Sequence, residues 1–421
     1  MAVAANSLRS GLTVHERLLA VFPFLRHRLN IAILDDMFPQ PLSAFRYEEF
    51  RSYLEQTVGL AIYSNGEAFP IVGERRSVPE VIAAFLELHP QHAGRVHALA
   101  PTNFPIADAY YTIFLNNIYK YVEAIEQVGQ PFAFTLYPGG GFELNEVHSD
   151  AKLQRVLGSR CFRYVIATQP VTRDYLLARR LCREDQIRFI QGGVITRSAF
   201  EKPRGKCHFG INKDRLDICF VAARYTPKGE DKGYDLFVDA AIRIIQAGLD
   251  VYFHVVGPWD ETVLDLGDVR SRFTFYGFQR TSFFRDFYRR MDLILSPNRP
   301  FTLGPGAFDG FPTACCIEAA LQGVAVACTD ELQLNTQLED GNQVLIIRPD
   351  ADKIVEKLLP LFAQPHRLAN IGRHGRMRFA QVFAHKAQLP PRINVLRHVT
   401  EESASRNGGR PGASRVPAAE Y

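Results

Sequence analysis

The residues best suited to chemistry lie in the stretch that begins Phe308-Asp309-Gly310-Phe311-Pro312-Thr313 and runs through Glu318 to Gly323. A carboxylate beside a glycine turn leads into a short helix carrying a second carboxylate. Gly323 then ends that helix ahead of the apolar strand Val324–Cys328. Backbone amides at a helix start, aided by the helix dipole, suit a phosphate group. A carboxylate can accept two hydrogen bonds at once, which suits vicinal hydroxyls. One such loop can meet a sugar, a diphosphate and a ribose together. A second charged stretch lies upstream, between Phe220 and Phe237. There a strand ends at Arg224, and after a loop Lys232-Gly233-Tyr234-Asp235 opens a helix. Cations in that position would neutralise a diphosphate and stabilise it as it leaves. Lys228-Gly229 competes with Lys232-Gly233 for the same role.

Taken in this order, the two stretches resemble the donor site of retaining GT-B-fold glycosyltransferases, the group 1 or family 4-like enzymes. The resemblance covers roughly residues 215 to 350. It implies that Asp309 faces the hydroxyls of the transferred sugar and that Glu318 faces the ribose. It further implies that Arg224 and Lys232 hold the diphosphate, and that Gly310, Phe311, Pro312 and Thr313 line the donor. Gly257, in His254-Val-Val-Gly-Pro258, resembles the glycine turn that approaches the nucleotide, and Phe278 the loop that borders the base. Ser296-Pro297-Asn298 and Gly304-Pro305-Gly306 lead toward the acidic loop. Two departures stand out: the first acid is Asp rather than Glu, and eight residues rather than seven separate it from Glu318. Such enzymes generally work without a bound metal or other cofactor. Asp35-Asp36 and Asp265-Leu-Gly-Asp268 are weak candidates for the metal-binding carboxylate pair of the other large glycosyltransferase fold, and no metal is expected.

These residues need strand ends and helix starts to position them, and the chain supplies both twice. Ile31–Leu34, Phe132–Tyr137, Tyr164–Thr168 and Ile187–Ile190 read as buried strands, with an amphipathic helix over Tyr110–Val128. Residues 196–214 are polar and basic, with Pro203, Gly205 and Gly210, as an interdomain linker should be. The alternation then restarts with strands at Asp217–Ala222, Val251–Val256, Asp292–Ser296, Val324–Cys328 and Val344–Ile347, and a helix over Tyr234–Ala247. This predicts an α/β protein of two Rossmann-like domains facing a cleft. The acceptor-side domain spans 1–200, the linker 201–214 and the donor domain 215–385. A terminal segment, 386–421, should become disordered from Thr400. On the acceptor side, the loops Asp35–Pro39 and Tyr137–Phe142 should face the cleft.

Bulk properties narrow the function classes. A chain of 421 residues exceeds one ordinary core. Its net charge of +4 is far from that of a dedicated nucleic-acid binder. Seven cysteines without zinc or disulfide spacing favour a reducing, cytoplasmic setting. No apolar run is long enough to span a membrane. Leu18–Leu25, mixed with arginines, leaves open peripheral contact at the inner face of a membrane. The expected partners are a nucleoside diphosphate sugar and a glycan, lipid or small-molecule acceptor. The expected activity is retaining glycosyl transfer. A sugar-nucleotide epimerase of the same architecture, or a non-catalytic sugar-nucleotide-binding protein, is the rival reading.

Overall fold

The computed structural model of the chain describes residues 27–100, 103–201 and 205–407. Its N-terminal half runs β1 (His27–Arg28), β2 (Ile31–Asp35), α1 (Ala44–Gln56), β3 (Thr57–Val58), β4 (Ala61–Ser64), α2 (Val78–Leu88), β5 (Val96–Ala98) and β6 (Ala109–Ile113). It continues with α3 (Leu115–Val128), β7 (Phe132–Leu136), α4 (Val147–Leu157), β8 (Phe162–Ala167), α5 (Pro170–Ala178) and β9 (Ile187–Phe189). β1 and β3 form a small pair, and the other seven strands make one parallel sheet in the order β5-β4-β2-β6-β7-β8-β9. Every residue of β2, β6 and β7 is buried, as expected of strands covered by helices on both faces. In α3 the buried Leu115, Ile118, Tyr121, Val122 and Ile125 recur at helical spacing, and Gly129, at φ 79°, ends the helix in the left-handed conformation.

The second sheet begins at β10 (Leu216–Val221), followed by α6 (Tyr234–Gln246), β11 (Val251–Val256), β12 (Phe273–Phe275), α7 (Thr281–Arg290) and β13 (Leu293–Ser296). Next come α8 (Ala314–Leu321), β14 (Ala325–Thr329), β15 (Leu345–Ile347), α9 (Ala351–Phe362), α10 (Pro365–Val382) and α11 (His385–Asn407). Its parallel order is β12-β11-β10-β13-β14-β15. Chain direction across the sheet reverses between β10 and β13 here, and between β2 and β6 in the first sheet. Such switch points leave a crevice at the carboxyl ends of the strands, where ligands bind in doubly wound folds. The two halves share a core in which Phe142, Ile195, Phe308, Phe311, Leu334 and Phe383 are all buried.

Two expectations are corrected. The segment Tyr110–Val128 is not one helix, because Tyr110–Ile113 belongs to β6 and the helix starts at Leu115. Phe114, at φ 72°, makes the turn between them. The aromatic and β-branched run Tyr110-Tyr111-Thr112-Ile113 suits a buried strand, and its apolar positions happen to be in phase with the helix that follows. The chain also does not lose order at Thr400, since α11 continues to Asn407. α11 leaves the second domain and packs on β6, β7 and β8 of the first sheet, burying Leu389, Ile393, Leu396 and Val399. Ser403 Oγ, further along, donates to Gln130 Oε1 at 2.7 Å. The arginine-flanked segment Leu18–Leu25 lies outside the described residues. Among the described residues, no helix is long and apolar enough to cross a membrane.

Candidate active site

At the β10–β13 switch point the loop after β10 is bent by two glycines in the left-handed region, Gly229 (φ 72°) and Gly233 (φ 68°). A side chain at Gly233 would lie 2.0 Å from the Pro297 carbonyl, so this loop can approach the exit of β13 only with glycine there. The approach brings Lys232 to Asp309. Lys232 Nζ donates to both carboxylate oxygens of Asp309, each at 2.7 Å. Asn298 Nδ2 donates to Asp309 Oδ2 at 2.6 Å, and Ser296 Oγ donates to Asn298 Oδ1 at 2.8 Å. Burial works against the Lys232 ammonium, but Asp309, with Asp231 at 3.6 Å beside it, holds the lysine pKa above its usual value. Arg299 fastens the same loop from below. Its Nη2 reaches both oxygens of Asp235 at 2.8 and 2.7 Å, and its Nε donates to the Glu230 carbonyl at 2.9 Å.

Past Asp309 the chain turns through Gly310 and the buried Phe311 and Pro312 to Thr313, the N-cap of α8. Asn298, Asp309, Gly310, Thr313, Thr329 and Asp330 surround one pocket at these strand ends. Glu318 lies on α8 and accepts from Thr196 Oγ1 at 3.4 Å. Burial pushes the Glu318 carboxyl up to about 7. Its folded pKa therefore exceeds its unfolded value, so the stability it contributes is fully present below the unfolded pKa and is lost as pH rises toward 7. A ligand that needs the carboxylate should show the opposite trend. Nucleoside affinity, with no phosphate to titrate, should rise about tenfold between pH 6 and 8 and then level off. Glu318→Gln should flatten that profile. Calorimetry across this range checks it, and a flat wild-type profile would remove Glu318 from nucleoside binding.

The other candidate residues occupy the rim. Arg224 is exposed just beyond β10, on the loop that carries Lys232. Lys228 is exposed too, and only its backbone amide is tied down, to Glu230 Oε2 at 3.1 Å. Gly257 has φ 130°, and a side chain there would lie 2.0 Å from the Ala222 carbonyl, so it allows the ends of β10 and β11 to meet. Phe278 is 64% exposed. Among the described residues, no group of three or more histidine, cysteine, aspartate or glutamate side chains is gathered to hold a metal ion.

The cleft-facing loops expected in the first domain are more committed to structure than their sequence suggested. Asp35 is wholly buried and accepts from the amides of Met37 and Phe38 at 2.9 and 2.6 Å. Its carboxylate is paired with Arg46 at 3.3 Å. Tyr137 spends its hydroxyl on Glu49 Oε2 at 2.9 Å. The rest of the Tyr137–Phe142 loop reaches across the cleft. Phe142 meets Phe308 edge-on with ring centroids 5.9 Å apart, and the Leu144 amide donates to the Gly306 carbonyl at 2.8 Å. Sequence reasoning had singled out Asn298 only as part of a turn. It missed Arg299, Gln169 and Thr196, whose roles come from packing between distant segments.

Residues 215–364 match the family model described as Glycosyl transferases group 1. No curated protein sequence matches the chain. Among solved structures, the chain is similar to a sucrose-phosphate synthase from Thermosynechococcus elongatus, with a TM-score of 0.61 and 16% identity, over 90% of this chain and 100% of that one. HepE from Anabaena, in complex with UDP and glucose, superposes with a TM-score of 0.58 and 15% identity, again over 90% and 100%. A UDP-forming α,α-trehalose-phosphate synthase from Burkholderia vietnamiensis gives 0.58 and 12%, over 90% and 99%. At these identities the likeness establishes the shared two-domain fold.

Proposed function

We propose that the chain is a nucleotide-sugar-dependent glycosyltransferase that transfers its sugar with retention of configuration, a reading supported by the match of residues 215–364 to the model described as Glycosyl transferases group 1. The observation that carries this reading is the meeting of Lys232, Asp309 and Asn298 at the strand ends beside the start of α8. In the proposed complex Arg224 and Lys232 flank the diphosphate, the amides at Thr313 and beyond face it, Glu318 accepts from the ribose, and Asp309 faces the sugar. As the glycosidic bond breaks, negative charge grows on the diphosphate, and fixed cations in a partly dry cleft stabilise that charge most strongly at the transition state. Asp309 is tied to a lysine and an asparagine, and Asp330 to the amides of Leu334 and Asn335, so neither carboxylate stands free as a nucleophile. Attack by the acceptor on the face from which the diphosphate departs is the route consistent with retention. The UDP in the HepE structure makes uridine nucleotides the first donors to test.

The test compares UDP with uridine, in EDTA. Arg224→Ala and Lys232→Ala should each weaken UDP binding by about 1.5–3 kcal/mol while leaving uridine nearly unaffected, because only the diphosphate meets these cations. Lys228→Ala should change neither, given its exposed position. Equal losses for UDP and uridine would refute the phosphate role, and a requirement for divalent metal would refute the metal-free reading. Release of free nucleotide from a nucleotide sugar with no acceptor present would favour the epimerase alternative.

A further inference from the structure

Gly310 poses a question that its backbone does not answer. Its φ lies outside the left-handed region, so the conformation alone does not require glycine. What crowds it is a side chain of the other domain: a Cβ at Gly310 would come within 2.8 Å of Gln169 Nε2 and displace that carboxamide. Gln169 is 3% exposed and sits at the carboxyl end of β8, just ahead of α5. Its side chain makes no capping bond to α5, so helix formation does not explain it. Instead Gln169 Oε1 accepts from the Phe311 amide at 3.3 Å. A second seat lies five residues earlier. Gly306 rests on Leu144, with the amide-to-carbonyl bond at 2.8 Å already described, and a side chain at Gly306 would meet the Leu144 carbonyl at 2.0 Å. The segment carrying Asp309 is thus held at both ends by the acceptor-side domain.

We infer that Gln169 is a positioning residue for Asp309: Lys232 and Asn298 hold the carboxylate from its own domain, and the Gln169 carboxamide seats the adjoining Gly310 and Phe311 from the other domain when the two are closed on each other. The functional half of this inference rests on the glycosyl-transfer reading above, and the structural half does not. The arrangement couples the two sides of the cleft. Opening the domains breaks both seats and leaves Asp309 to Lys232 and Asn298 alone, and closing them fixes the backbone on both sides of the carboxylate as well. A small displacement of such a group is costly in rate, because reactive geometry tolerates little error.

The experiment uses the full chain and two readouts. In the donor-free protein, Gln169→Ala should speed hydrogen exchange across residues 304–313 by about tenfold, with β13 and β14 unchanged. In turnover, the same variant should lower kcat by about tenfold or more, with donor KM and nucleotide affinity within a factor of about two of wild type. Gly310→Ala, whose methyl would push the Gln169 carboxamide off its seat, should also lose rate, and adding Gln169→Ala should cost little more because both remove the same seat. Unchanged exchange at 304–313 in Gln169→Ala would overturn the inference. So would faster exchange with full kcat, a loss of nucleotide affinity in step with rate, or a Gly310→Ala enzyme of wild-type rate. A wild-type chain that turns over no nucleotide sugar would count against the functional reading alone, and the exchange data would still decide the seat.

Discussion

Replacing Asp309 with Asn should lower the transfer rate by about 100-fold or more at saturating donor, a loss typical of removing one fixed electrostatic group from a reacting centre. The substitution keeps the size of the side chain and leaves Asn298 a partner, so the loop should retain its path. What it removes is the charge that holds Lys232 at 2.7 Å through both oxygens. In the donor-free chain that carboxylate occupies the lysine that the diphosphate is proposed to use. Nucleoside diphosphate affinity should therefore be kept or improved in Asp309→Asn, because a neutral amide neither competes for the ammonium nor repels the ligand. Loss of rate with affinity retained would mark an interaction made only on the way to the transition state. Single-turnover measurement with saturating nucleotide sugar checks this, and an Asp309→Asn enzyme with full rate would remove the carboxylate from the mechanism.

The second large effect should be on stability. Arg392 on α11 is wholly buried against the N-terminal sheet, with Nη2 donating to the Gly192 carbonyl at 2.8 Å and Nη1 to Gln388 Oε1 at 2.6 Å. Its charge partner is Glu49, at 4.0 Å and likewise wholly buried. Glu49 also accepts from the hydroxyls of Tyr53, Tyr111 and Tyr137 at 2.8, 3.0 and 2.9 Å. Arg392→Leu leaves the Glu49 carboxylate buried without a cation, which should cost about 3–5 kcal/mol. The double variant Glu49→Gln with Arg392→Leu removes both charges and should recover much of that loss. Denaturant unfolding of the single and double variants measures the coupling. Equal stability of Arg392→Leu and wild type would show that this network does not hold α11 in place. The same helix carries the chain from the donor domain back to the acceptor-side sheet, so a loosened α11 should also widen the range of domain orientations. Truncation at Thr400 should be felt for the same reason, since it removes Ser403 and its bond to Gln130.

The architecture of the second half was readable because its elements are local. Strand, glycine loop and helix follow one another within each stretch, and of the residues that the resemblance singled out there, Arg224, Lys232 and Asp309 fall around one set of strand ends. Both sheets were readable from their apolar runs, although short strands such as Val96–Ala98 carry too few residues to register. Gln169 and Thr196 gave no signal, because their partners Phe311 and Glu318 lie 142 and 122 residues away. The same limit hid the commitment of Asp35 to Arg46 and of Tyr137 to Glu49. A polar side chain at a strand end reads as available until the fold supplies its partner. The polar run from Thr400 read as disordered for a related reason: what keeps it helical is a surface on another domain.

The most direct test of a donor site on the C-terminal domain is hydrogen exchange of the full chain with and without a saturating nucleoside diphosphate sugar, UDP-glucose first and its GDP and ADP counterparts beside it. At least one of them should slow exchange across residues 224–234 and 309–318 together, with the seat at 304–308 protected in the same sample. Protection confined to the N-terminal sheet, or no protection from any of these donors at concentrations that saturate related binding sites, would contradict the account.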